Sequence, residues 1–326
     1  MSRDSTSKDT RILRADAAAI MQAADVLRAG GLAAFPTETV YGLGARADDP
    51  RAVAALYAAK GRPSFNPLIA HARDIDAAQQ LGAFSETALS LAKRFWPGPL
   101  TLVVRARGND AVCELARAGL DTLAVRVPSH ATAQALLGSV DFPVVAPSAN
   151  RSGHVSPTTA QHVADDLSGK VEIILDGGPS KGGIESTIVD CSGTTSRLLR
   201  SGGIARNEIE KITGPLGSAG KEEVSAPGMT ASHYAPKARL RLDASGIREN
   251  EAFLGFGFPL PANVGRARKV LNLSPNADLT EAASNLYAYL RELDASGAAT
   301  IAVAPIPGES LGEAIRDRLA RAAAPK

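Results

Sequence analysis

Short apolar runs alternate along this chain with longer stretches in which apolar residues recur every three or four positions. The runs at 32–35, 68–71, 100–104, 123–127, 144–145 and 171–175 read as buried strands, because brief unbroken apolar runs bounded by turn formers suit strands covered on both faces. The segment 16–30 reads as a helix with Ile20, Ala24 and Leu27 on one face, ended by Gly30-Gly31. Helical spacing returns at 85–95 and 157–167. Alternation of the two periods predicts an α/β fold.

The pattern breaks at 214–237, where Gly214-Pro-Leu-Gly-Ser-Ala-Gly220 and Pro227-Gly228 interrupt any periodicity. A second α/β unit follows, with strands near 240–242, 253–256, 270–273 and 301–304. Asp278 and Glu281 have capping-box spacing before Leu279, Ala282, Leu286, Leu290 and Leu293, and Ser310 and Glu313 repeat it before Leu311, Ile315 and Leu319. The expected organisation is therefore a first domain over 10–213, a linker over 214–237 and a small three-layer α/β domain over 238–326. The loops of that last unit carry little chemistry, which predicts a regulatory or stabilising role. A structureless span as long as the linker is as a rule functional or disordered. Its Tyr234 and Pro236 suit a lid laid over a site, with 214–220 as hinge.

Composition narrows the class. With 326 residues, 44% of them hydrophobic, the chain can build one large or two ordinary cores. A net charge of +2 is too small to mark a nucleic-acid protein by electrostatics, and 4% aromatics offer no stacking platform for single-stranded RNA. Cys113 and Cys191 are isolated, which argues against zinc spacing and a disulfide framework and fits a reduced cytoplasm. Residues 1–10 lack the apolar core of a secretory signal and are expected to be a disordered start. No later run reaches the roughly 18 to 20 apolar residues of a membrane span.

The chemistry gathers where strands end. PTETVYGLGA (36–45) puts three hydroxyls, a carboxylate and two glycines directly after the run 32–35. KGRPSFNPLIAH (60–71) holds Lys60 and Arg62 with no acid, on a loop stiffened by Pro63 and Pro67, and can face an anion without internal neutralisation. Ala146-Pro-Ser-Ala-Asn150 follows 144–145, and a glycine-rich stretch from Asp176 to Thr187 follows 171–175, with amides that could cradle phosphate. Ligands of α/β sheets bind outside the carboxyl ends of strands, so loops of one chemical character there predict one shared site.

Taken in order, PTETVYGLGA, KGRPSFNPLIAH, FWPGPLT (95–101), PSAN (147–150), ESTIVD (185–190) and LLRSGG (198–203) resemble the YrdC-type family of threonylcarbamoyl-AMP synthases. The resemblance covers roughly residues 10 to 213, and the linker with Pro227-Gly-Met229 and His233-Tyr-Ala-Pro236 is similar to that of the longer, two-domain form. It implies a YrdC-like twisted-sheet catalytic domain. It also implies synthesis of threonylcarbamoyl-adenylate from L-threonine, bicarbonate and ATP, for modification of an adenosine in transfer RNA by a downstream threonylcarbamoyltransferase. Magnesium is expected with the ATP.

Residue by residue, the resemblance places threonine against Thr39, His71, Arg126, Ser148 and Ser186, and ATP against Arg62, Asn66, Thr122, Asn150, Ser156, Arg200 and Tyr234. Lys60 joins Arg62 on the phosphate side as a catalytic candidate. Arg126 can pair bidentately with an amino-acid carboxylate; a strand-end salt bridge with Asp121 is the alternative. His71 could equally be a satisfied core histidine. Two other functions stay open: an RNA-binding module without turnover, and a carbamoyl-transfer enzyme, against which stands the lack of any Cys-x-x-Cys motif. Direct contact with transfer RNA is left undecided by the sequence.

Overall fold

The computed structural model describes residues 8–108, 111–218 and 234–325. Each strand expected in the first domain is present within two positions: Ala33–Phe35, Ile69–His71, Leu100–Ala106, Thr122–Arg126, Val144–Val145 and Ile173–Asp176. Among the described residues, twelve strands join in one mixed sheet. Across it run Arg11–Arg14, Ile173–Asp176, Ala33–Phe35, Gly42–Arg46, Val144–Val145, Ile69–His71, Thr122–Arg126, Leu100–Ala106, Thr187–Asp190, Arg197–Arg200 and Gly217–Ser218, with Gly82–Ala83 beside Leu100–Ala106.

Gly42–Arg46 is a correction to the sequence reading, which placed a loop there. It is an interior strand, antiparallel to Ala33–Phe35 on one side and Val144–Val145 on the other. Gly44 explains it: a Cβ there would sit 2.9 Å from the Phe35 ring and 3.1 Å from the Ala33 carbonyl, so the glycine permits close strand packing.

The helices form where caps and apolar faces coincide. Asp16 accepts from the Ala19 amide to start Ala17–Arg28, whose buried face is Ala19, Ala23, Ala24 and Leu27, with Ile20 only partly covered. Ser85 caps Glu86–Phe95 in the same way, and Thr159 starts Ala160–Leu167, two residues after the expected beginning of that helix is passed. Within the expected disordered start at 1–10, residues 8 and 10 are tied down: the Lys8 amide donates to the Gly169 carbonyl, and the Thr10 hydroxyl to the Val171 carbonyl. Residues 1–7 lie outside the described residues.

In the C-terminal unit the strands Arg239–Arg241, Thr300–Val303, Ala252–Gly255 and Val270–Asn272 lie side by side, all parallel. Helices Leu279–Asp294 and Leu311–Ala323 cover one face through Leu286, Leu290, Ile315 and Leu319. Ala244, Ile247 and Val264 cover the other face from an irregular layer, which completes three layers. Asp278 caps its helix as expected. Ser310 does not: its φ of 52° turns the chain without a side-chain cap.

The expected hinge is partly built into the sheet, since Gly217–Ser218 pairs with Arg197–Arg200. Of the lid expected over 214–237, residues 219–233, with Pro227, Gly228, Met229 and His233, lie outside the described residues. The two units touch through Arg206 and Glu313 at 2.7 Å and through Arg291 and Asp166 at 2.9 Å.

Candidate active site

Residues far apart in the chain meet at one end of the large sheet. His71 and Arg126 close two parallel strands at paired positions, Arg200 closes a third, and Ser186 directly precedes Thr187–Asp190, which runs the other way from its neighbour. Loops after Ala33–Phe35 and Val144–Val145 bring Thr39 and Ser148. Eight of the expected residues, namely Thr39, Arg62, His71, Arg126, Ser148, Ser186, Arg200 and Tyr234, line one cavity of about 50 Å³ with Val40, Ile69, Ala146, Pro147 and Glu185.

Arg126 organises one wall. Its Nη1 donates to Thr39 Oγ1 at 2.9 Å, its Nη2 to Glu38 Oε1 at 2.6 Å and its Nε to the Gly98 carbonyl at 3.2 Å. The acid partner is therefore Glu38, and the alternative pairing with Asp121 is not what the structure contains. Burial raises the Glu38 carboxyl, but the Arg126 charge and hydrogen bond outweigh it and hold the group below its ordinary value. Thr37 Oγ1 lies 2.8 Å from Thr39 Oγ1, and Thr101 Oγ1 lies 2.8 Å from Ser186 Oγ, so the Thr39 and Ser186 hydroxyls each have a second hydroxyl beside them.

His71 is fully enclosed. Burial and then the Arg126 charge push its imidazole down to about 3, so the ring is neutral at physiological pH. Its Nδ1 lies 3.1 Å from the Ile69 carbonyl, which assigns the proton to Nδ1 and leaves Nε2 as an acceptor. Because a backbone carbonyl orients the ring, His71 does not have the carboxylate partner of a Ser–His–Asp triad.

On the opposite wall, Arg62 donates to the Asn66 and Pro67 carbonyls, which fixes the fork while leaving other N–H groups for a ligand. Burial lowers its guanidinium to about 10. Arg200 grips the next strand, donating from Nε and Nη2 to the Ser186 carbonyl and from Nη2 to Ser186 Oγ. Tyr234, 1% exposed, closes the cavity. Its ring stacks on Tyr287 at 5.6 Å, and the Arg318 guanidinium lies 5.2 Å from its centre.

Five expected residues lie outside this cavity. Thr122 opens the strand that Arg126 closes, about 13 Å away at strand rise. Ser156 Oγ donates to Glu185 at 2.6 Å. Asn66 and Asn150 sit behind the wall, each with a buried Oδ1 that no protein group reaches among the described residues. Lys60, expected on the phosphate side, turns its ammonium to the backbone in this structure. Its ammonium donates at 2.5 Å to the carbonyls of both Ser148 and Asn150 and so braces the 147–150 turn. Burial, then Arg62, push that ammonium well below its ordinary value.

Lys60→Met should therefore strand two carbonyls and lower stability by about 2–4 kcal/mol, read as a shifted urea midpoint. Unchanged stability with lost ATP affinity would return Lys60 to the phosphate side.

The glycine-rich loop after Ile173–Asp176 packs rather than cradles: Gly182 donates its amide to the Glu38 carbonyl, and Ser180 donates its own to the Thr158 carbonyl. Sequence reasoning missed Glu38, Thr101 and Glu185 as parts of the site. All three stand inside the quoted motifs, but nothing in the sequence pairs Thr101 with Ser186, 85 positions away.

The arrangement defines an α/β protein whose crevice brings Arg126 and a set of hydroxyls on one wall towards Arg62 and Arg200 on the other, a lining suited to anionic groups. Residues 25–202 match the Sua5/YciO/YrdC family, described as telomere recombination, and residues 204–324 match the C-terminal domain of threonylcarbamoyl-AMP synthase. The chain belongs to this family, in its two-domain form. It is 42% identical over 322 residues to threonylcarbamoyl-AMP synthase of Bacillus subtilis, covering 93% of this chain and 92% of that protein. Against the enzyme of the same name from Pyrococcus abyssi it is 41% identical over 319 residues, covering 92% of each. The crystal structure of P. abyssi Sua5 complexed with L-threonine superposes with a TM-score of 0.87 at 38% identity, over 96% of each chain.

Proposed function

We propose that this chain makes L-threonylcarbamoyladenylate from ATP, L-threonine and bicarbonate, releasing pyrophosphate and water. The observation that carries the reading is the single cavity in which Arg126, Thr39, Ser148, Ser186 and neutral His71 face Arg62 and Arg200. The names of its relatives and the threonine complex of P. abyssi Sua5 agree with it.

The threonine carboxylate pairs with the free N–H groups of Arg126, and the hydroxyls of Thr39, Ser148 and Ser186 orient its amine and side chain. A protonated imidazole would repel the amino group; the Nε2 lone pair of His71 accepts a hydrogen bond from it. The amine nitrogen bonds to the carbon of bicarbonate, whose C–OH bond breaks; the hydroxide leaves with the amine proton as water, and a carbamate remains. A carbamate oxygen attacks the α-phosphorus, the bond to the β-phosphate bridging oxygen breaks, and pyrophosphate leaves. The reaction needs alignment of two anions and stabilisation of charge on phosphate oxygens, which Arg62 and Arg200 supply.

Magnesium is expected with the nucleotide, but the residues present do not fit a protein-held ion. Glu38 and Glu185, the nearby carboxylates, are each paired with an arginine, and among the described residues no three His, Cys, Asp or Glu side chains cluster. No step here runs through the ion. The product is suited to a downstream transferase acting on transfer RNA, and a cytoplasmic setting fits a chain in which no described helix is long and apolar enough to cross a membrane.

The test is mass spectrometry of the adenylate formed from ¹³C-bicarbonate: the label should appear in a product containing both threonine and AMP. Selectivity follows from the hydroxyl-lined wall. Serine lacks one methyl, worth about 1–3 kcal/mol in a pocket, so it should be a poor but detectable substrate, and valine, which leaves hydroxyl partners unpaired, worse. Equal use of all three in competition assays would contradict a threonine pocket.

A further inference from the structure

We propose that the C-terminal domain is a working part of the active site: its Arg318 and Tyr287 position Ser186 and Arg200 by way of the buried carboxylate of Glu185. The substrates named below rest on the function proposed above.

Glu185 stands immediately before Ser186 and forms part of the cavity wall. Its carboxylate accepts from Ser156 Oγ at 2.6 Å, from the Tyr287 hydroxyl at 2.8 and 3.0 Å, and from Arg318 Nε at 2.8 Å. Arg318 reaches further, since its Nη2 donates at 2.9 Å to the carbonyl of Ser201, the residue after Arg200. One guanidinium from the C-terminal domain thus fastens the start of Thr187–Asp190 and the end of Arg197–Arg200, the two antiparallel strands whose tips carry Ser186 and Arg200. The same two side chains enclose Tyr234, stacked on one ring and covered by one cation.

Burial distinguishes this contact from a docking surface. Arg318 and Tyr287 are completely inaccessible, and Glu185 is 6% exposed. Domain interfaces within a chain are ordinarily polar and wet, and a buried ion pair gives little net stability over apolar groups of the same size. The peripheral pairs Arg206–Glu313 and Arg291–Asp166 already join the domains. What the buried pair adds is a fixed position for the strand tips. The approach is tight: a Cβ on Gly183 would lie 2.2 Å from the Ala283 carbonyl of Leu279–Asp294.

The charged and titratable groups facing Glu185 are Arg318, Arg200, Tyr287 and Tyr234. Burial raises its carboxyl, but Arg318 and then Arg200 outweigh that and hold it at about 2. Removing Arg318 leaves Arg200 as the facing cation, so the carboxyl should rise from that value.

Arg318→Met keeps the side-chain length without the charge. In the full chain we expect the KM for threonine to rise about tenfold or more, with kcat changed less than about threefold. The ratio of variant to wild-type KM should fall as the pH is lowered, as the unpaired carboxylate takes up a proton. Arg318→Lys should restore part of the loss. Tyr287→Phe, which keeps the stack on Tyr234 and loses one hydroxyl, should show the same KM effect at about threefold, and serves if Arg318→Met fails to fold. A folded Arg318→Met with a lower melting temperature but wild-type kinetic constants and pH profile would reduce the contact to domain adhesion and overturn the proposal. Wild-type protein whose turnover ignores threonine would instead overturn the functional reading, so the two failures are distinguishable.

Discussion

Arg126→Ala is expected to lower kcat/KM for threonine by about a hundredfold or more while leaving the KM for ATP within a few-fold of wild type. Two losses combine. The substrate carboxylate loses its cation, and charge-assisted hydrogen bonds are worth about 1.5–3 kcal/mol each. Glu38, 17% exposed and held by Arg126 at 2.6 Å, also becomes an unpaired carboxylate beside an anionic ligand. Arg126→Lys should recover only part of the activity, because an ammonium cannot hold Thr39, Glu38 and a carboxylate in one plane. Steady-state kinetics with each substrate varied decides it. A threonine KM unchanged in Arg126→Ala would place the amino acid elsewhere.

Gly183→Ala is expected to destabilise the domain junction by about 3 kcal/mol or more. The glycine has φ 67°, and a methyl group there would meet backbone atoms of the opposing helix, the Ala283 carbonyl at 2.2 Å and Ser284 Cα at 2.5 Å. Neither can rotate away. The loop must lift from the helix, which withdraws Glu185 from Tyr287 and Arg318 two residues later. Scanning calorimetry should show the transition of the wild-type chain lowered or split, with the first domain exposed to protease at the junction. An unshifted single transition would mean that the helix yields at no cost.

The sequence made the strands of the first domain and the convergence of its loops readable, because apolar runs and hydroxyl-rich strand ends are local signals. Gly42–Arg46 escaped because glycine is a turn former by preference and serves here as a spacer against Phe35, a reason visible only once the neighbouring strand is known. Lys60 shows a second limit: a cation in a basic loop can face a ligand or a carbonyl, and the orientation depends on a turn 88 positions away. The Glu38–Arg126 and Glu185–Arg318 pairs span 88 and 133 positions. In Leu311–Ala323, Arg318 looks no different from Arg316 or Arg321, and its complete burial is a product of tertiary contact.

If this cavity joins threonine, a one-carbon unit and ATP in one reaction, turnover depends on all three. The most direct test is pyrophosphate release from ATP with threonine and bicarbonate each omitted in turn from CO2-free buffer. Release should require both, with one pyrophosphate per adenylate formed. Release that continues without either would contradict that dependence.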